Sequence, residues 1–238
     1  MIYLRDRNLL FLKPRKTAGT SVEIALSRHA GPGDIVTPLV LGDELLRMEL
    51  GGQFPINWSD PILERDYAEQ VERHRDSAEL NKTLFSLKSS RYVNHMNPRQ
   101  IVEAASERFL LESEVVTMCR HPYEVFVSQV YYFMAYQKLE VSFTQLADEL
   151  AHKVYTNVAY YGYRGRTLPR FVIRYEQMKE DMRQLEKDFD LDLLAKLPVT
   201  KKGKRADRRP AGELLTECQK EICYTRNKAI FERFGYAR

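Results

Sequence analysis

The sequence predicts an α/β fold, a three-layer α/β/α arrangement around a central parallel sheet. Three observations predict it. Short apolar, β-branched runs alternate with longer stretches of helical spacing, which is the pattern of parallel strands joined by crossover helices. Polar segments follow three of those runs, and ligands of such folds bind at the carboxyl ends of strands. One of these segments, Pro14-Arg15-Lys16-Thr17-Ala18-Gly19-Thr20-Ser21, joins a strand to a helix.

The elements follow in order. Residues 8–13 (NLLFLK) form an apolar run too short for a helix, hence a buried strand. Residues 20–29 have helical spacing, with Val22, Ala25 and Leu26 apolar and Gly31-Pro32-Gly33 as the stop. Residues 35–81 are less regular; they hold Gly51-Gly52, Pro55, Pro61 and the sole tryptophan, Trp58. Residues 84–87 suggest a second short strand, and 98–107 a helix with Pro98 in its first turn. Glu114–Cys119 is a strand by its β-branched content. Pro122 opens a helix over 123–137, and another runs over 141–154 from near Ser142. Phe171–Arg174 is a strand; 176–188 is an amphipathic helix with Met178, Met182, Leu185 and Phe189 on one side. A final helix covers 214–234. The expected organisation is a single domain over 1–238, with residues from about 36 to 80 as an irregular insertion facing the acceptor of whatever reaction the chain performs.

The chain has 238 residues, 44% hydrophobic and 29% charged, enough apolar material for a sizeable core. No run reaches the roughly 18 apolar residues needed to span a bilayer, and Arg5-Asp6-Arg7 interrupts any signal peptide. Cys119, Cys218 and Cys223 are odd in number and widely spaced, against a disulfide framework or zinc site and in keeping with a reducing cytoplasm. No metal is implied. The net charge of +4 is mild, but Lys201-Lys202-Gly203-Lys204-Arg205-Ala206-Asp207-Arg208-Arg209 carries six cations and one acid. That run is either a solvated loop or the contact for an anionic partner.

The segment from Pro14 to Ser21 has the chemistry of an anion site. A helix start offers N–H groups and a positive dipole end. Gly19 admits close backbone approach, Thr20 and Ser21 add hydroxyls, and Arg15 and Lys16 add charge. It is not a Walker A loop, since no Gly-Lys-Ser/Thr is present; Gly203-Lys204 is followed by Arg205.

The segment resembles the 5′-phosphosulfate loop of sulfotransferases, commonly Pro-Lys-Thr-Gly-Gly-Thr-Ser. It differs by the inserted Arg15 and by Ala18 in place of a glycine. Arg120-His121-Pro122-Tyr123-Glu124-Val125-Phe126-Val127-Ser128 is similar to a second family element, an arginine at a strand end with a serine eight residues on. Looser likeness extends to residues 171–176, to Leu197-Pro198 and to 231–236 of carbohydrate and bacterial sulfotransferases.

The resemblance implies a P-loop-like sulfotransferase fold and transfer of a sulfuryl group from 3′-phosphoadenosine 5′-phosphosulfate (PAPS) to an acceptor hydroxyl, with adenosine 3′,5′-bisphosphate (PAP) released. It implies that Arg15, Lys16, Thr17, Ala18, Gly19, Thr20 and Ser21 hold the 5′-phosphosulfate and that Arg120 and Ser128 hold the 3′-phosphate. It adds Lys201, Lys202, Lys204 and Arg205 as a late basic segment over the donor. Lys16 would neutralise charge on the leaving oxygen. The base would be His95, whose position is similar to that of the catalytic histidine of uronyl 2-O-sulfotransferase-like enzymes; the other reading is a hydrogen-bonded loop histidine. Glu23 and Glu176 are reserves. The implied acceptor is a saccharide, for which Trp58 is either an aromatic platform or plain core. A small-molecule kinase, a nucleic-acid-binding module and a member that binds the nucleotide without catalysis compete with this reading; the missing Walker context, the near balance of charges and the intact Lys16 count against them in turn.

Overall fold

Three residues at the start of the chain, Ile2–Leu4, form a strand (β1) that the pattern of apolar runs does not predict. A 3-10 turn over Arg5–Arg7 and Asn8, left-handed at φ 49°, reverse the chain. Leu9–Phe11 (β2) then pairs antiparallel with β1, Ile2 opposite Phe11. So short a connection cannot carry a parallel crossover, which needs a dozen residues or more. Gly19–Ser27 is the first helix (α1), and Ile35–Val36 (β3) returns to the sheet antiparallel to β1. Glu114–Cys119 (β4) lies parallel to β2. Gly162–Tyr163 (β5) and Arg166–Thr167 (β6) make a separate two-stranded ribbon. Phe171–Arg174 (β7) lies parallel to β4.

Among the described residues the main sheet is therefore five-stranded, in the order β3-β1-β2-β4-β7, and mixed, where the sequence predicts a parallel one. Only β1 runs against the others. The computed structural model describes residues 1–73, 90–137, 140–198, 200 and 205–238. The strand expected at 84–87 lies outside them.

Alternation along the strands sorts the core into layers. Leu9 and Phe11 face Val22, Ala25 and Leu26 of α1 and Met182 and Leu185 of helix Met178–Phe189. Leu10 and Leu12 face the opposite cluster, with Trp58, Tyr67 and Ile101. Helices thus cover both faces of the sheet. A third cluster joins helices Pro122–Gln137, Phe143–Ala151 and Glu217–Phe234 through Phe126, Val130, Leu146, Cys223 and Phe231.

Residues 36–73 do not form an outlying insertion. Helices Leu41–Glu49 and Pro61–Arg73 pack onto the second face of the sheet. A buried ion pair, Glu44 to Arg47 at 2.9 Å, anchors them, with Arg47 also donating to the Thr37 carbonyl. Trp58 is 1% exposed and meets Tyr67 edge-on, with ring centroids 5.6 Å apart, so it is core and offers no sugar platform. The helix expected over 98–107 is two, Pro98–Ala104 and Glu107–Glu112, because Ser106 caps the second by accepting from Phe109 N–H at 3.0 Å. Among the described residues, no helix is long and apolar enough to cross a membrane.

Candidate functional site

The site begins where β2 ends. Lys13 is 1% exposed, and its Nζ pairs with Glu23 of α1. Glu23 also accepts from the Met1 amino group at 2.6 Å and from Thr37 Oγ1 at 3.2 Å. Burial opposes its charge, yet Lys13, the amino group and Arg47 outweigh that and hold its carboxyl well below the usual carboxylate range. Glu23 is thus committed to the core and is no candidate base. The stem of Lys13 passes under the start of α1, where a Cβ on Gly19 would overlap Lys13 Cγ. Glycine at position 19 is required by that close approach.

Between them the loop is wound tightly. Lys16 (φ 61°) and Ala18 (φ 68°) are both left-handed, a conformation that disfavours side chains. Thr17 Oγ1 donates to the Pro14 carbonyl at 3.2 Å. Ala18 is the N-cap of α1, so no side chain caps this helix start. The dipole end and the loop's N–H groups meet at that point. Lys16 Nζ rests 4.2 Å above the ring of Tyr132. Thr20 is buried, and Ser21 Oγ lies 3.1 Å from Thr200 Oγ1.

Arg120 reaches this loop from the end of β4. Its Nη1 donates to the Lys16 carbonyl at 3.2 Å, its Nη2 to Glu124 at 3.0 Å, and the guanidinium stacks 4.0 Å from the Tyr175 ring. Its Nε is buried without a hydrogen-bond partner. Glu124 also accepts from Arg205 at 2.7 Å and from the Ala211 N–H at 3.0 Å. Glu124, Ser128 and Tyr132 stand on successive turns of one face of helix Pro122–Gln137. Half-buried Ser128 is therefore placed between the Arg120 contact and the Lys16 contact.

The structure thus gathers Lys16, Thr17, Ala18, Gly19, Thr20, Ser21, Arg120, Ser128 and Arg205 in one region. Lys201, Lys202 and Lys204 lie outside the described residues; Thr200 and Arg205 on either side of them are tied to Ser21 and Glu124.

Arg15 and His95 belong to an adjoining cavity of about 510 Å³. His95 is left-handed (φ 61°), and its Nδ1 lies 2.9 Å from the Lys13 carbonyl. A carbonyl only accepts, so Nδ1 carries the proton and Nε2 keeps its lone pair. Burial, then the Lys13 cation, lowers the His95 pKa to about 2, with Arg15 a smaller contributor. The ring is neutral at ordinary pH. Tyr160 holds the backbone by donating to the His95 carbonyl at 2.6 Å.

The remaining reserve, Glu176, and its neighbour His121 are structural. His121 donates through Nε2 to the Ala237 carbonyl at 3.0 Å, accepts from Tyr123 N–H at Nδ1, and sits among the rings of Tyr123, Phe231 and Tyr236. Glu176 accepts from His121 N–H at 2.8 Å and Tyr236 Oη at 3.0 Å. Three residues join the site without having been predicted: Glu124, Tyr132 and Asn157; Tyr175 stands in the third of the polar segments that follow strands. Glu124 carried a readable signal, since it stands four residues after Arg120 at the helical ion-pair spacing. Asn157 had none. A wider depression of about 740 Å³, lined in part by Tyr3, Arg5, Asn57 and Arg91, shares no residue with the loop.

Comparison of the chain with protein-family models, with curated proteins and with solved structures gave no match. Function has to be read from the residues themselves. Among the described residues, no group of three or more His, Cys, Asp or Glu side chains is placed to hold a metal ion.

Proposed function

We propose that the chain is a sulfotransferase that moves a sulfuryl group from PAPS to a hydroxyl of an acceptor, a saccharide by family likeness, and that its mixed α/β architecture is a version of the sulfotransferase fold. The observation that carries this reading is the meeting of two anion-binding elements, the Lys16 loop and Arg120, at 3.2 Å. One such element suits any phosphate; two, with Ser128 above them, suit a nucleotide phosphorylated at both ends.

The donor supplies an activated S–O bond. The loop N–H groups and the α1 dipole hold its 5′-phosphate. Arg120, through its planar fork, and Ser128 hold the 3′-phosphate. Lys16 leaves its seat on Tyr132 to neutralise charge growing on the 5′-phosphate oxygen as the S–O bond breaks. His95 Nε2 takes the proton from the acceptor oxygen as that oxygen bonds to sulfur. PAP then leaves with the electron pair of the broken bond.

The test is a thermal-shift comparison of PAP, ADP and ATP with Mg²⁺. The reading requires PAP to stabilise the protein most. Stabilisation by ATP–Mg²⁺ with none by PAP would replace it with a kinase.

A further inference from the structure

We infer that the cavity beside the loop is the acceptor site and that Arg15 selects an anionic acceptor, a saccharide carrying a carboxylate or sulfate ester. This rests on the sulfuryl-transfer reading and adds the substrate class to it. Arg15 is also one of the two residues, with Ala18, by which the loop departs from the common form of the motif.

Arg15 is held as a built feature of the cavity wall. Asn157, 3% exposed, accepts from the Arg15 N–H at 3.0 Å and donates to the Arg15 carbonyl at 2.9 Å. This two-point amide clamp fixes the backbone. The side chain is exposed, and its guanidinium lies 5.2 Å from the Tyr155 ring centroid. A ring beneath a guanidinium leaves its N–H edge available for a planar or tetrahedral anion. Among the described residues, no carboxylate forms an ion pair with it. An exposed arginine with a fixed backbone, an aromatic support and no acidic partner is chemically complementary to an anionic ligand.

The rest of the cavity suits a sugar. Its volume, about 510 Å³, falls in the range of roughly 300–1,000 Å³ common for small-molecule sites. Asn97 and Gln100 form the capping box of helix Pro98–Ala104, and their oxygens are used there. Their amide nitrogens remain as donors on the cavity wall for ligand hydroxyls. Tyr155 and Tyr160 also line the cavity.

A coupling follows from the placement. Arg15 is one of the cations that keep His95 neutral. Burial and Lys13 weigh more than Arg15, so an acceptor anion that neutralises Arg15 offsets only the smallest of the contributions that oppose a proton on Nε2.

Calorimetry tests this with four probes, each with and without PAP: trigalacturonate, its carboxyl-reduced form, a sulfated carrageenan tetrasaccharide and its desulfated form. Wild-type protein is expected to bind at least one anionic probe at least ~10-fold more tightly than its neutral counterpart, the scale of one charge-assisted contact. Which pair shows the difference tells carboxylate from sulfate ester. Arg15→Gln is expected to erase the difference and Arg15→Lys to keep part of it. Equal affinity for charged and neutral forms, no binding of either anionic probe, or a difference that survives in Arg15→Gln would each overturn the inference. Wild-type protein that binds the anionic probe but not PAP would instead sink sulfuryl transfer while leaving the cavity's selectivity standing.

Discussion

The guanidinium of Arg120 donates to the carbonyl of Lys16 at 3.2 Å across 104 residues of sequence. The bond ties the end of the middle parallel strand to the loop that follows its neighbour, β2. The same arginine is stacked on Tyr175, at the end of the next parallel strand, β7. The three polar segments that follow parallel strands thus converge on one guanidinium, as the geometry of parallel sheets favours.

Lys16 has one assigned task, charge on the leaving oxygen. Lys16→Ala is expected to lower turnover by about 10²-fold or more, the scale for losing one such group. Lys16→Arg is expected to recover only part of this, because the guanidinium is broader than the ammonium seated on Tyr132. Steady-state kinetics checks it, and a near-normal turnover number in Lys16→Ala would remove the assignment.

Gly19 is fixed by the stem of Lys13 passing beneath it. Forcing a methyl group into a packed site costs about 1–3 kcal/mol, against the ~1 kcal/mol that alanine gains over glycine in a helix. Gly19→Ala is expected to be less stable than wild type in urea unfolding and to bind PAP more weakly, since Lys13 must shift and the loop with it. A variant as stable as wild type would show that Lys13 yields without cost.

His95 makes a prediction with a definite sign. Its folded pKa, about 2, lies below the ordinary value of 6.5. The folded state therefore binds fewer protons at this site than the unfolded chain does. The stability contributed by keeping the ring neutral is complete above about pH 6.5 and is lost progressively as pH falls below it. Wild-type protein should lose more thermal stability than His95→Gln between pH 7.5 and pH 4.5, read as melting temperature against pH. The kcat/KM profile, which reports the free enzyme, should show no acid limb from this residue near pH 6.5. A limb there that His95→Gln abolishes would contradict the neutral assignment.

Much of this architecture is legible in the chain. The strand Glu114–Cys119 stands where its β-branched content puts it, Phe171–Arg174 is a strand as expected, and the helix from Pro122 starts at its proline. Strand β1 is not legible, because three residues followed at once by Arg5-Asp6-Arg7 offer no periodicity. With β1 goes the mixed character of the sheet, since alternation of strands and helices predicts parallel pairing and says nothing of a tight reversal at Asn8. The site divides in the same way. Charge, glycine and spacing mark the loop and the Arg120–Ser128 element, because local chemistry carries them. The burial of Glu23, the clamp of Asn157 on Arg15 and the burial of Trp58 depend on contacts from distant parts of the chain, and no local pattern records them.

The central claim is that two phosphates of one nucleotide are held by two separate elements. Its most direct test is calorimetric titration of wild type and Arg120→Ala with PAP and with 5′-AMP, which lacks the 3′-phosphate. Hydrogen bonds to a charged group contribute about 1.5–3 kcal/mol, or about 10- to 150-fold in affinity. Wild type is therefore predicted to prefer PAP by at least ~10-fold, and Arg120→Ala to lose most of that preference, Ser128 retaining the rest. Equal affinity of the wild type for the two nucleotides, or a preference for PAP undiminished in Arg120→Ala, would contradict the account.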